Sequence, residues 1–234
     1  MKARKITNMF ITTIEVSNEI NKGVEMKEKA HQVYKLADGT RVPSVTTVTG
    51  ILNKPQLIKW ANRLGLDGID VAKYVDIQAE AGTLAHQFIL DYFKGVETDT
   101  SEYSQKVIDK AKNSLRSFHK FLSEHNVKPL KAEEQLVSER YKYGGTLDLL
   151  ADLDGKVVVM DWKTGKGIYK EYGYQLAAYA NLVEENFGLK VDGTFIVRIN
   201  RGDNEEYEMK SFDWKKNFEV FNALLKVYYL IKED

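Results

Sequence analysis

Asp161 and Lys163 interrupt VVVMDWKT (157–164), a run otherwise apolar enough to be a buried strand. Burying an unpaired carboxylate costs several kcal/mol, so Asp161 needs a partner. Just upstream, Asp154-Gly155 is a strong two-residue hairpin signal that fixes the register of the strands flanking it. With those two residues as the turn, Leu153 faces Lys156, Asp152 faces Val157, and Asp148 falls directly opposite Asp161. Cross-strand partners share a face with β-carbons about 4.5–5.5 Å apart, and like charges so placed repel. Lys163 points to the same face, about 6–7 Å further along the strand. Two converging carboxylates suit a hard divalent cation, Mg2+ or Mn2+, which takes oxygen ligands with water completing its shell. The alternative is a salt-bridged sheet in which Lys163 merely neutralises the aspartates. A D-x-K triplet alone does not choose between them, but the hairpin register favours the metal site. The opposite face, Leu147, Leu149 and Ala151 against Val158, Met160 and Trp162, is wholly apolar and is expected to pack on helices.

The elements that must position these side chains follow from periodicity and turn chemistry. HQVYKLADGTRVPSVTTV (31–48) has the alternation of a β-hairpin around Asp38-Gly39, with Pro43 closing the second strand and Ser44 placed to cap a helix. Helical patterns follow over 45–52, 55–65, 68–94 with an interruption near Gly82, and 102–126. From AEEQLVSE onward the pattern changes to short strands at 132–138, 145–153 and 156–163. A helix is expected at 171–187, a strand pair at 193–200 and 205–211, and a closing amphipathic helix from Trp214 to Ile231. Residues 1–30 are polar and weakly patterned and read as an N-terminal extension. The remainder, 31–234, reads as one domain: hairpin and helical wall over 31–130, sheet and closing helix over 131–234.

Composition narrows the chemistry. The 234 residues are 43% apolar and 29% charged, as in an ordinary globular protein, and include no cysteine. That excludes disulfides, a thiolate nucleophile, cysteine-ligated zinc and any iron–sulfur cluster, leaving oxygen and imidazole as metal ligands. No apolar run approaches the roughly 20 residues of a membrane span, and MKARKITNMFITTIEV lacks the features of a signal peptide. An intracellular, cytoplasmic protein without membrane contact is expected. The net charge is zero, so nucleic acid, if bound, must meet a local basic groove. No G-x-x-x-x-G-K-[ST] segment is present.

Four ordered motifs go further: G-T-L-A-H (82–86), Y-G-G-T-L-D (143–148), D-W-K-T (161–164) and Q-L-A-A-Y (175–179). Together, over about residues 80–190, they resemble the RecB-type nucleases of the PD-(D/E)XK superfamily. Among these the chain is similar to compact members: phage-encoded exonucleases, CRISPR adaptation nucleases and the mitochondrial single-strand DNA exonuclease. The resemblance implies an α/β, restriction-endonuclease-like core, a central mixed β-sheet flanked by helices with a largely helical N-terminal portion. It implies that His86, Asp148, Asp161 and the backbone carbonyl of Trp162 bind the metal and that Lys163 is the catalytic lysine. Glu134 matches the family's first acidic position, with Glu133 beside it as the alternative, and only one of the two can face the metal. Gln175 and Tyr179, an i, i+4 pair, would meet a phosphate or buttress the lysine; otherwise they cap the core at a helix–sheet contact. His119 and His125 face different sides of a polar helix and are given no role, and YKEYGY (169–174) is expected to pack and not to stack bases. Several relatives pin their termini with a four-cysteine cluster; this chain must close its fold by packing, through the hairpin at Asp38-Gly39 and the terminal helix. The implied function is a metal-dependent DNA exonuclease that hydrolyses phosphodiester bonds to 5'-phosphates. Its expected substrate is single-stranded DNA or free ends, in recombination, repair or replication in a bacterial or phage-infected cell, with a helicase or recombinase as partner. The alternatives are a structure-specific endonuclease on the same core and a catalytically retired DNA-binding protein.

Overall fold

Asp154 and Gly155 both take positive φ, 52° and 84°, and form the turn expected of them. The strands on either side pair Leu153 with Lys156, Asp152 with Val157, and on through Leu149 with Met160. In the computed structural model, which describes residues 32–232, this hairpin sits within a five-stranded sheet. The expected extension at 1–30 lies outside the described residues.

In chain order the elements are β1 (Tyr34–Lys35), β2 (Arg41–Val42), α1 (Val45–Thr49), α2 (Pro55–Leu66), α3 (Val71–Lys94) and α4 (Gln105–Glu124). They continue as β3 (Val127–Ser138), β4 (Tyr143–Leu153), β5 (Lys156–Lys163), α5 (Glu171–Phe187), β6 (Gly193–Ile199), β7 (Tyr207–Ser211) and α6 (Trp214–Lys232). The sheet runs β3-β4-β5-β6-β7, antiparallel except where β6 lies parallel to β5. That parallel pair needs a crossover, and α5 supplies it. One sheet face buries Leu150, Val159 and Ile196 with α5, α6 and the Val45 and Val48 side chains of α1. The other buries Leu149, Met160, Trp162 and Val197 with Ile89 of α3 and Phe118 and Phe121 of α4. The expected mixed α/β architecture with a largely helical N-terminal portion is therefore what the chain adopts. No helix among the described residues is long and apolar enough to cross a membrane.

The helix starts follow capping chemistry. Ser44 accepts from the Thr47 N–H at 2.9 Å to open α1, and Asp70 accepts from Lys73 at 3.1 Å to open α3. Helix α3 ends on Gly95 at φ 68°, a left-handed cap.

Three expectations are corrected. Helix α3 runs unbroken through Gly82, whose missing side chain serves close approach and not a break: a β-carbon there would lie 3.1 Å from Thr164 Oγ1. Strand β3 begins at Val127, not 132, and carries Pro129, which argues against a central strand; as an edge strand with a register shift between Pro129 and Lys131 it tolerates the missing donor. Leu147 packs with the α5 face and not with Leu149, because the regular ladder is interrupted at the residue between them.

Candidate metal centre

That interrupted position is Asp148. Strand β3 pairs Ala132 with Leu149 and Glu134 with Leu147, leaving Glu133 opposite Asp148 with φ at 51°. A left-handed conformation is uncommon and costly for a residue with a side chain, and strain of this kind clusters at functional sites. On the other side the β4–β5 ladder stops at Leu149 and Met160, and the Trp162 N–H donates to Asp148 Oδ2 at 2.9 Å. The Asp148 side chain thus replaces a ladder contact and its carboxylate is fixed by the backbone of the next strand. From α3, His86 brings its Nδ1 to 3.4 Å from the same oxygen. The potential ligand atoms of His86, Glu133 and Asp148 all lie within 4.8 Å of one another. They open onto a small cleft whose apolar wall includes Ile89 and Trp162.

A second group adjoins the first through β5. Asp161 is 1% exposed. Gln175 Nε2 reaches its Oδ1 at 3.3 Å and the Tyr179 hydroxyl at 3.1 Å, while Lys163 Nζ ion-pairs with its Oδ2. The same ammonium lies 5.0 Å from the centre of the Tyr172 ring, a cation–π contact. Burial pushes the Asp161 carboxyl up to about 6; the Lys163 charge opposes the rise and the neighbouring Asp148 adds to it. Burial works against the charged form of Lys163 as well, yet Asp161 and Asp148 outweigh it and leave its pKa raised. The pair is unequal: the lysine keeps its proton firmly, whereas the aspartate holds its charge with difficulty. Tyr179, raised well above its ordinary value by burial and by Asp161, stays a neutral phenol.

These donors fit a hard divalent cation. They comprise one imidazole and several carboxylates with no thiolate, and Asp161 Oδ2 is buried in an ion pair without a well-directed hydrogen bond. A dication between Asp148 and Asp161 would offset the repulsion and burial that raise the Asp161 pKa.

The structure brings His86 and Asp148 together, and beside them it places Glu133. Glu134, the acid the sequence preferred, instead pairs with Leu147, on the face turned toward α5, while Glu133 takes the left-handed turn beside Asp148. Asp161, Lys163, Gln175 and Tyr179 form the adjoining group, and Trp162 joins the two through its N–H with its indole buried against Phe118 and Phe121. Tyr172, part of the YKEYGY stretch expected only to pack, also faces the Lys163 ammonium; its place three residues before Gln175 on the same helix is the available signal. The motif glycines are explained by contact: a β-carbon on Gly144 would lie 2.5 Å from Tyr34, and one on Gly145 would lie 2.6 Å from the Tyr179 ring and 2.9 Å from Val45. His125 bonds the Tyr207 hydroxyl at 3.1 Å and His119 meets Tyr92 edge-on, both away from this group.

A family model described as the PD-(D/E)XK nuclease superfamily matches residues 59–228. The chain is 30% identical over 126 residues to the CRISPR-associated exonuclease Cas4 of Francisella tularensis subspecies novicida, a match covering 53% of this chain and 58% of that protein. Among solved structures, a candidate exonuclease from Eubacterium rectale aligns over 61% of this chain and 64% of its own, with a TM-score of 0.42 and 14% identity. An alkaline exonuclease from Laribacter hongkongensis aligns over 81% of this chain and 91% of its own, with a TM-score of 0.35 and 12% identity. The chain thus spans less than two thirds of the Cas4 relative and of the Eubacterium protein.

Proposed function

The chain belongs to the PD-(D/E)XK nuclease superfamily, and from that membership we propose that it is a divalent-metal-dependent exonuclease hydrolysing DNA phosphodiester bonds at single-stranded ends. The observation that carries this reading is the convergence of His86, Glu133 and Asp148 within 4.8 Å beside the buried Asp161–Lys163 pair. His86 and Asp148 would hold the cation, with Glu133 and Asp161 completing the protein ligands. When bound, Mg2+ or Mn2+ supplies a water of lowered pKa and positive charge against the scissile phosphate.

The protein's own groups do the rest. Asp148 is aimed by the Trp162 N–H, and His86, whose Nδ1 lies 3.4 Å from the same carboxylate oxygen, would offer its imidazole to the cation. Lys163, held between Asp161 and the Tyr172 face, keeps its proton and presents a fixed cation to the negative charge that develops on the phosphate oxygens. Gln175, anchored on Tyr179, keeps Asp161 from turning away. A retired site would have no use for strain at Glu133 and a buried carboxylate whose pKa is raised in part by its neighbour. A helicase or recombinase partner would supply the strand ends.

Incubation with end-labelled single- and double-stranded DNA, linear and circular, tests the reading with Mg2+, Mn2+ or EDTA. Linear single strands should be degraded with metal and spared in EDTA, with circles intact. Cut circles would make the protein an endonuclease, and binding without cleavage would make it an architectural factor.

A further inference from the structure

Tyr74, Gln78, Gly82 and His86 fall on one i, i+4 row of α3. Each member meets a different part of the molecule. His86 faces Asp148, Gly82 backs onto Thr164, and the Gln78 carbonyl accepts a 2.7 Å hydrogen bond from the Arg201 guanidinium. The Tyr74 ring meets Trp60 of α2 edge-on, centres 6.0 Å apart. At 1.5 Å rise per residue, the row carries Arg201's anchor about 12 Å and the aromatic pair about 18 Å from His86.

Arg201 follows β6 by two residues, beyond Arg198, whose parallel partner is Lys163. Its backbone is also fixed, because Asn113 Nδ2 of α4 donates to its carbonyl at 3.1 Å. Burial works against its charge and lowers its pKa, and the acceptor it holds at Gln78 is a neutral carbonyl that cannot offset a cation. A half-buried guanidinium so placed retains donors for a further anion. Trp60 lies on a helix that buries none of its residues, flanked by the exposed Lys59 and by Arg63 one turn on.

Resting on the nuclease reading above, we propose that this row is a single-strand track leading away from the metal centre. Arg201 takes a backbone phosphate a few nucleotides from the cleaved bond, and the Trp60–Tyr74 pair receives an unstacked base beyond it. Guanidinium suits phosphate by geometry as well as charge, and an aromatic platform accepts any base that is free of its partner. Paired bases cannot use it, so the track favours single strands.

The test is binding in EDTA, where cleavage plays no part. A fluorescein-labelled oligothymidylate and an equal-length duplex are titrated with wild type, Arg201→Gln and Trp60→Ala, with Arg201→Lys and Trp60→Phe as conservative partners. Glutamine keeps a donor for the Gln78 carbonyl but removes the charge. Each of the first two variants should weaken single-strand binding roughly tenfold and leave duplex binding unchanged. Arg201→Gln should also flatten the dependence of log K on log salt by about 0.7, the loss of one phosphate contact, whereas Trp60→Ala should keep that slope. Trp162 and Trp214 are 2% and 9% exposed, so fluorescence quenching by bound oligothymidylate reports Trp60 and should vanish in Trp60→Ala. Trp60→Phe should restore most of the affinity and Arg201→Lys should restore the slope. Wild-type affinity in both primary variants, or duplex binding weakened as much as single-strand binding, overturns the track. If the variants lose binding as expected but the wild type cleaves nothing with either metal, the nuclease reading falls and the track stands.

Discussion

Burial holds the Asp161 carboxyl at about 6 despite the ammonium beside it, above the 3.8 of an unperturbed aspartate. A group raised in the folded state contributes stability that is fully present below about 3.8 and lost as pH rises through about 6. In EDTA, urea unfolding should therefore show the wild type losing stability relative to Asp161→Asn across that window; a flat difference would mean that the carboxyl is not shifted. At the neighbouring acids the question is which one the metal sees. Glu133→Gln should weaken Mn2+ affinity roughly tenfold or more in calorimetric titration, and Glu134→Gln should leave it unchanged. The reverse order would put the ligand back on the face toward α5. This was the residue-level choice that the sequence left open. Strand alternation says that only one of two adjacent acids faces the metal, but the φ of 51° that sets Glu133 beside Asp148 has no local signature in the sequence. Asp148 and Asp161 were legible because Asp154-Gly155 fixes a register locally, and it held through Leu149 and Met160. Beyond that pair the strands part, and the Asp148 carboxylate takes the place of a backbone contact.

At the scale of elements, the motifs are places where backbones come too close for a side chain. Y-G-G-T-L-D carries Gly145 because α5 and α1 press on β4 there, with the Tyr179 ring and Val45 less than 3 Å from any added β-carbon. Gly145→Ala should destabilise by about 1–3 kcal/mol, the cost of overpacking, and should displace the Tyr179 hydroxyl that anchors Gln175. Gly65→Ala is the contrast: nothing lies within 4 Å of its β-carbon in α2, so the change should be neutral or stabilising by up to about 1 kcal/mol. Urea denaturation of both variants checks the pair, and equal effects would show that close packing is not what Gly145 provides. Helices and strands were largely legible from period and caps because most of them bury one continuous face. The errors fell where a single residue has a contextual reason. Gly82 admits Thr164 without bending α3, and Pro129 is tolerated because β3 is an edge, a fact of sheet order that no local window holds.

For the whole molecule, the proposed centre would act as a clamp. Its candidate ligands come from α3, β3 and β4, and the adjoining pair and its supports come from β5 and α5, so a cation bound there ties together segments distant in the chain. Such a site exists only in the folded chain, and an ion at a hundred times its dissociation constant stabilises by about 2.7 kcal/mol. For a domain of this size each kcal/mol moves the melting temperature by about 2–4 °C. Saturating Mn2+ should therefore raise the wild-type melting temperature by about 5–10 °C in differential scanning calorimetry, and added sodium chloride at matched ionic strength should not. The variants divide the contribution. On the proposed roles, in which the lysine would act on substrate charge and not on the ion, Lys163→Ala should retain the metal-induced rise, whereas Asp148→Asn should abolish it. In EDTA, Asp148→Asn should be near neutral: an amide oxygen can still accept from the Trp162 N–H at the 2.9 Å position, and the charge that helps raise Asp161 is gone. A large loss of metal-free stability in Asp148→Asn, with no metal-induced rise in the wild type, would mean that Lys163 and the aspartates are a structural salt-bridge network and that the strained turn at Glu133 serves the sheet and not an ion.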